Sequence, residues 1–242
     1  MIFNITKLFK DFLSTVLIFS VLFFFVFVAF EPGLVRALED QVVVTQEVTS
    51  GITISSPSDI TMTTLTLTQD TAVATSTWTV TTNSQSGFTV TIDATSTSAC
   101  VDRATDGQED ILCALGSNSG IDDEAFRDLA TTTRAAWSTM TTGNDYYFGF
   151  SVTNVLADNT ADVSGWGNDS IYCDSDGSDT PNENLLWQGF WSGNEIEIAS
   201  STSETDQGGT QIAVCLATAQ VGSGIAPSGT YYATTTATAL VQ

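Results

Sequence analysis

The stretch TWTVTTNSQSGFTVTI, residues 77–92, indicates most clearly how this chain folds. Apolar side chains alternate with threonines on both sides of Asn-Ser-Gln-Ser-Gly, residues 83–87. Alternation with a period of two is typical of strands with one buried face, and Asn and Gly accept the positive φ of a turn. The pattern predicts an antiparallel hairpin with Trp78 and Phe88 on its inner face and β-branched, polar threonine on its outer face.

Strand patterns recur along the rest of the chain. Further strands are predicted at residues 42–48, 51–56, 59–68, 146–155, 185–191, 195–200, 210–219 and 228–241. Residues 210–219 are apolar on both faces, which predicts a central strand. Short strands, frequent turn signals and almost no helix favour an all-β fold, an antiparallel β-sandwich of immunoglobulin-like or jelly-roll-like type. Residues 94–145 are expected to form a long disulfide-bridged loop.

The N-terminus differs from everything that follows. Nine of the fourteen phenylalanines lie in the first thirty residues, and Lys7 and Lys10 precede residues 12–30, which carry no charge. A basic start followed by an apolar run is typical of an export signal, although the run approaches the roughly 20 residues that span a bilayer. Residues 1–37 are therefore either a signal peptide cleaved after Ala37, the favoured interpretation, or a retained membrane anchor. Both interpretations make residues 38–242 a single exported domain, extracellular or on the cell surface.

The charge of the exported part limits its partners and its chemistry. It has 26 acidic residues against Arg103, Arg127 and Arg134, with no lysine and no histidine. Such a chain repels nucleic acid and anionic lipid, so membrane contact is expected only through residues 12–30 if they are retained. Catalysis through histidine or lysine is excluded, and no enzyme is expected. A glycosidase pair of carboxylates is the arrangement left open.

Cysteine usage agrees with export. Cys100, Cys113, Cys173 and Cys215 are an even set, which predicts two disulfides in an oxidising compartment. The short polar segment between Cys100 and Cys113 favours their pairing, which leaves Cys173 with Cys215. A metal site made by these cysteines is the weaker alternative, because the chain has no C-x-x-C pair and no histidine.

An acidic segment follows Cys173. DSDGSDTPNEN, residues 174–184, offers Asp174, Asp176, Asp179 and Glu183 as hard oxygen ligands, which makes calcium the one possible cofactor. The alternative is a solvated acidic loop, and the spacing does not match an EF-hand.

Aromatic residues cluster near the end of this segment and elsewhere in loops. Trp187, Phe190 and Trp191 are expected to be core side chains, with stacking on a sugar ring as the alternative. Trp166, between two glycines in a predicted loop, is expected to be exposed. One residue of the Tyr-Tyr pair at 146–147 is expected to face outward.

Three segments resemble a known group of proteins. STWTVTTNSQSGFTVTIDA (76–94), FGFS (148–151) and PSGTYYATTTATA (227–239) are similar to exported bacterial β-sandwich surface proteins related in style to WxL domains. The resemblance implies a β-sandwich in the cell envelope, and WxL domains attach non-covalently to the Gram-positive wall. Trp78-Thr79-Val80 only approximates the first Trp-x-Leu motif, and the chain has no second one.

These observations together predict a class of function rather than a ligand. The favoured hypothesis is a non-catalytic secreted or cell-surface β-sandwich protein, an envelope component or adhesin-like module. The alternatives are a carbohydrate- or cell-wall-binding module and a subunit of a filament or surface layer.

Overall fold

The computed structural model describes residues 5–29, 45–55, 57–96, 111–114, 125–130, 133–153, 162–167, 172–190 and 195–242. The chain divides into two compact units, Met1–Glu47 and Val48–Gln242. Residues 30–44, which include the predicted cleavage position Ala37, lie outside the described residues.

The first unit contains one long helix, α1 (Ile5–Ala29). Its window Phe9–Val26 is long and apolar enough to cross a membrane, and the side chains of this window are exposed. The predicted N-terminal apolar helix is confirmed. A signal peptide meets the same criteria of length and composition, so both interpretations of this helix stand.

The second unit is built mainly from strands. Its described strands are β1 (Ile52–Ile54), β2 (Thr71–Thr82), β3 (Phe88–Ser96), β4 (Cys113–Ala114), β5 (Arg127–Asp128), β6 (Tyr146–Thr153), β7 (Ile196–Ser201), β8 (Thr210–Gln220) and β9 (Tyr231–Val241). They form a five-stranded sheet in the order β1-β2-β8-β6-β5 and a four-stranded sheet in the order β4-β9-β3-β7. Helix in this unit is limited to α2 (Trp137–Met140) and a 3-10 turn (Ser164–Trp166) within the described ranges.

Side chains from both sheets meet in one hydrophobic core. Trp78 from β2, Phe150 from β6 and Ile212 from β8 pack in the same cluster as Phe88 and Val90 from β3. All five are nearly or completely buried. Because each fully buried large apolar side chain contributes about 1.5–3 kcal/mol, this shared cluster is the main source of stability.

The predicted hairpin at residues 77–92 is wrong in its pairing. β2 pairs with β1 and β8 in one sheet, whereas β3 pairs with β7 and β9 in the other. Residues 83–87 therefore cross from one sheet to the other, with a turn in which Gly87 donates its N–H to the Ser84 carbonyl at 3.1 Å. The alternation correctly identified the buried faces, since Trp78 and Phe88 both point into the shared core.

Other strand predictions have mixed outcomes. The strands predicted near residues 51–56, 146–155, 195–200, 210–219 and 228–241 are confirmed as β1 and β6 to β9, and β8 is central as expected. Residues 59–68 and the described residues 45–48 form no strand, and residues 185–190 form only isolated bridges. Antiparallel pairing holds among the described strands except between β5 and β6, which are parallel. β4 and β5 lie within residues 94–145, where a loop was predicted. β4 is an edge strand of the four-stranded sheet, and β5 is an edge strand of the five-stranded sheet.

A second buried layer covers the opposite face of β8. Cys215, Ala217 and Ala219 of this strand pack with Trp187 and other residues outside the first core. The covering residues and their partly buried neighbours come mainly from residues 129–147 and 173–187. β8 is thus buried on both faces, which explains why its sequence is apolar without alternation.

Candidate functional site: the disulfide-anchored acidic loop

A disulfide fixes the start of the acidic segment to the centre of the five-stranded sheet. Cys173 is joined to Cys215 of β8 with 5.3 Å between their Cα atoms, and both side chains are buried. This predicted pairing is confirmed. Cys113 is also disulfide-bonded, whereas its predicted partner Cys100 lies outside the described residues.

The acidic segment folds back on itself. The main chain reverses between a Ser175 N–H to Thr180 carbonyl bond of 3.0 Å and an Asn182 N–H to Cys173 carbonyl bond of 3.0 Å. Gly177 takes a φ of 80° and Asp179 a φ of 60°, the left-handed region that Gly accepts readily and Asp accepts more easily than most residues. The reversal thus places a short, tight loop directly beyond the disulfide.

Asp174 holds this loop together through its carboxylate. One oxygen accepts the N–H of Asp176 at 3.1 Å and the other accepts the N–H of Asp179 at 3.0 Å. Partial burial acts to raise the pKa of Asp174, but the backbone N–H groups around the carboxylate outweigh it and hold that pKa below its ordinary value. Asp174 therefore stays ionised as a structural acceptor within its own loop.

The other predicted ligands have separate partners. Glu183 accepts the N–H of Ser138 at 3.1 Å and its hydroxyl at 2.9 Å, and so binds the first turn of α2. Asp176 accepts the N–H of Ser178 at 3.0 Å as well as the Ser178 hydroxyl. Within the described ranges no three acidic, Cys or His side chains form a group that could hold a metal ion. Calcium binding by Asp174, Asp176, Asp179 and Glu183 stays a prediction.

The aromatic segment after the loop belongs to the protein interior. Trp187 and Phe190 are fully buried. Trp187 packs edge-on against Trp137 at 5.0 Å between ring centroids and donates its indole N–H to the Asn182 carbonyl at 2.9 Å. Phe190 stacks on Phe150 at 4.2 Å. The core interpretation is confirmed for these two residues, and Trp191 lies outside the described residues.

Two expectations about exposed aromatics are wrong. Trp166 is buried, because it packs against Phe150 at 4.9 Å between ring centroids. Tyr146 and Tyr147 are both buried as well, since β6 is covered on both faces. Tyr147 keeps its hydroxyl satisfied by donating it to the Thr142 carbonyl.

A polar junction around Arg134 was not anticipated from the sequence. The guanidinium carbon lies 3.8 Å from the centre of the Trp166 ring. Its nitrogens donate to the Gln188 side-chain oxygen at 3.0 Å, the Gly165 carbonyl at 3.0 Å and the Glu197 carbonyl at 3.3 Å. Arg134 thereby joins three separate segments at the side of a cleft of about 320 Å³.

The environment of Arg134 marks it as a structural cation. Burial lowers the pKa of its guanidinium, and the charge of Glu197 acts in the opposite direction. A Cβ on Gly165 would lie 2.6 Å from an Arg134 nitrogen, so a side chain there would displace the guanidinium from its present position. The only sequence signal for this junction is the rarity of arginine in residues 38–242 together with a Gly-Trp-Gly segment.

Exposed aromatic surface lies beside the acidic loop. Tyr172 directly precedes Cys173, and its side chain is 67% exposed. Its carbonyl accepts the amide of Asn182 at 3.1 Å, which fixes the main chain at this position. The loop thus presents a phenol ring, hydroxyl groups and carboxylates to solvent on a rigid base.

Comparisons of the chain with protein-family models, with curated proteins and with solved structures gave no match.

Proposed function

We propose that this chain is an exported, non-catalytic β-sandwich protein of the cell surface, an envelope component or adhesin-like module. The observation that carries the proposal is the buried disulfide between Cys173 and the central strand. Disulfides of this kind persist in oxidising compartments outside the cytoplasm. The shared core of two sheets supports the sandwich arrangement.

The N-terminal helix supports export. Its uncharged run from residue 12 onward follows Lys7 and Lys10 and precedes Val35 and Ala37, the small residues that a signal peptidase accepts. Cleavage after Ala37 would release the domain, and retention of the helix would tether it to the membrane. Both outcomes place the domain on the far side of that membrane.

The arrangement of polar groups supports a non-catalytic role. Arg134 is held by three hydrogen bonds and a ring contact, and Arg127 lies 3.7 Å from an Asp145 oxygen. In the acidic loop, Asp174 and Glu183 accept hydrogen bonds that define local structure. These groups stabilise the fold, so they are poorly suited to accept and release protons during a reaction.

Glycan or cell-wall binding is the second candidate, and Tyr172 is the observation that favours it. An exposed ring next to carboxylates and hydroxyls suits a sugar, which offers an apolar face and many hydroxyl groups. Pull-down on purified cell wall tests this candidate, with Tyr172→Ala expected to lose binding. Tyr232→Ala is the matched control, because Tyr232 is also exposed but lies on β9.

Fractionation of native cells with N-terminal sequencing of the protein tests the main proposal. The protein is expected in the extracellular or cell-surface fraction, starting at Leu38 if the signal is cleaved and at Met1 if it is retained. Recovery from the cytoplasm would contradict the proposal.

A further inference from the structure

One edge of the four-stranded sheet has no hydrogen-bonded strand along most of its length, although β1 of the other sheet lies close to β9. β9 pairs with β3 from Ala233 to Val241, without a register shift. On its other side it pairs with β4 only at Tyr231 and Tyr232. Among the described strands none pairs with the remaining nine residues of this edge, which leaves a long template for another strand.

The core is also less well covered at this edge. The inward-facing Ala233, Ala237 and Ala239 of β9 are only half-buried, although they pack against the first core. Val90 and Ile92 of the neighbouring β3 are completely buried. An additional strand beside β9 would exclude water from these alanine side chains.

The open edge lacks the usual protection against pairing. Edge strands are commonly shielded by charged side chains, proline or a bulge. β9 has none of these, and no charged residue occurs anywhere in residues 207–242, in a chain with 28 acidic residues. An unprotected edge on so acidic a protein indicates that another strand covers it in the functional state.

The chain contains a predicted strand whose described residues, 45–48, form no strand. Residues 42–48, VVVTQEV, are rich in valine and are predicted from the sequence to be a strand. Residues 42–44 lie outside the described residues, whereas residues 45–50 are exposed and belong to no strand. Asn83 holds the end of this segment by accepting the Gly51 N–H at 2.7 Å and donating to the Thr49 carbonyl at 3.0 Å.

The strand registers favour pairing between two copies. Ile52 of β1 lies opposite Thr82, and Val241 of β9 lies opposite Phe88, so β1 begins at the end of the sheets where β9 finishes. A segment that preceded Gly51 and returned along β9 of its own chain would run parallel to β9. A second copy can approach in the antiparallel direction, which is the direction of every described pairing in this sheet.

We propose that residues 42–48 of one copy add as an antiparallel strand to the open edge of β9 in a second copy, which links the copies head to tail. Strand addition of this kind takes its affinity from main-chain hydrogen bonds and its register from alternate side chains. The proposal rests on the proposed export, because cleavage after Ala37 leaves residues 42–48 close to a free N-terminus.

The assembly is tested on protein purified from native cells under oxidising conditions. Light scattering after size-exclusion chromatography is expected to give multiples of the single-chain mass that rise with concentration. Hydrogen exchange is expected to be slow at the amides of β9. N-terminal sequencing of the same material reports export and cleavage independently, so failure of the pairing and failure of the proposed export are separate results.

Two variants on opposite faces of the segment provide the matched comparison. Val44→Asp puts a charge on the face shared with Val42 and Val48, and is expected to give single chains whose β9 amides exchange about tenfold faster or more. Thr45→Asp adds the same charge to the other face and is expected to assemble normally. Both positions lie outside the unit Val48–Gln242, so neither variant should lower its melting temperature.

Three results would overturn the proposal. Wild-type protein could remain a single chain at every concentration, or Val44→Asp could assemble as the wild type does. Single wild-type chains with slow exchange in β9 that becomes fast in Val44→Asp would show that the segment pairs within its own chain.

Discussion

β8 and β9 are strands of equal length with opposite environments. Each has eleven residues and contains several alanines and threonines, yet β8 is buried at nearly every position whereas β9 is half-buried or exposed throughout. β8 has a strand on each side and a packed layer on each face. Composition therefore gives a segment its tendency to form a strand, whereas the neighbours of the strand determine whether it is buried or exposed.

The largest loss of stability is expected from a substitution in the core next to β8. Trp78 lies opposite Ile212 of β8 and is 4% exposed. Trp78→Ala should lower the free energy of unfolding by about 3–5 kcal/mol, since a buried indole is lost and a cavity remains. Leu240→Ala on β9, where the side chain is 58% exposed, should change it by less than about 0.5 kcal/mol. Denaturant titration of both variants checks the contrast, and equal losses would contradict it.

The disulfide that joins β8 to the acidic loop should have the next largest effect. Replacement of Cys173 and Cys215 by serine should lower the free energy of unfolding by about 2–4 kcal/mol, because the unfolded chain gains freedom. Denaturant titration measures the loss, and a steeper slope is expected because the unfolded chain without the cross-link is less compact. A double variant as stable as the wild type would show that the link to β8 is dispensable.

Arg134 stabilises the side of the molecule through contacts that lysine cannot reproduce. Arg134→Lys loses the planar contact with Trp166 and at least one of three hydrogen bonds, and should cost about 1–3 kcal/mol. Arg127→Lys is the control, because its pairing with Asp145 at 3.7 Å is partly exposed and should contribute less than about 1 kcal/mol. Thermal melts in low and high salt compare the stability of the two variants. An equal loss of stability in both would contradict the structural role of Arg134.

The smallest loss of stability is expected from a substitution in the acidic loop, and its size should depend on pH. A lowered pKa means that ionised Asp174 stabilises the fold above its ordinary value of 3.8, and that this contribution is lost as the pH falls through the lowered value. Asp174→Asn should therefore lower the melting temperature at neutral pH and have a diminishing effect near about pH 2. A loss of the same size at both pH values would show that charge is not involved.

Part of the fold could be predicted because side-chain alternation reports on faces. The inner residues Trp78, Phe88 and Val90 were identified correctly from a period of two, and the apolar run of β8 indicated burial on both faces. Alternation does not report the partner of a strand. A five-residue connection such as residues 83–87 can close a hairpin or cross between sheets, and long-range packing decides between them.

The site was less predictable for a related reason. The pairing of Cys173 with Cys215 followed from the spacing of four cysteines, but Trp166 is buried against Phe150 and Arg134, which are distant in sequence. Asp174 and Glu183 were predicted as ligands of one ion, yet they accept hydrogen bonds from different segments. Acidic residues close in sequence therefore indicate a polar loop without specifying what their carboxylates bind.

The most direct test of the central claim is the oxidation state of Cys173 and Cys215 in the native cell. Alkylation of free thiols during lysis, followed by peptide mapping without reduction, measures it. One cross-linked peptide pair that contains Cys173 and Cys215 is expected, with neither residue alkylated. Alkylated Cys173 and Cys215 in freshly lysed cells would contradict both export to an oxidising compartment and the disulfide-anchored fold.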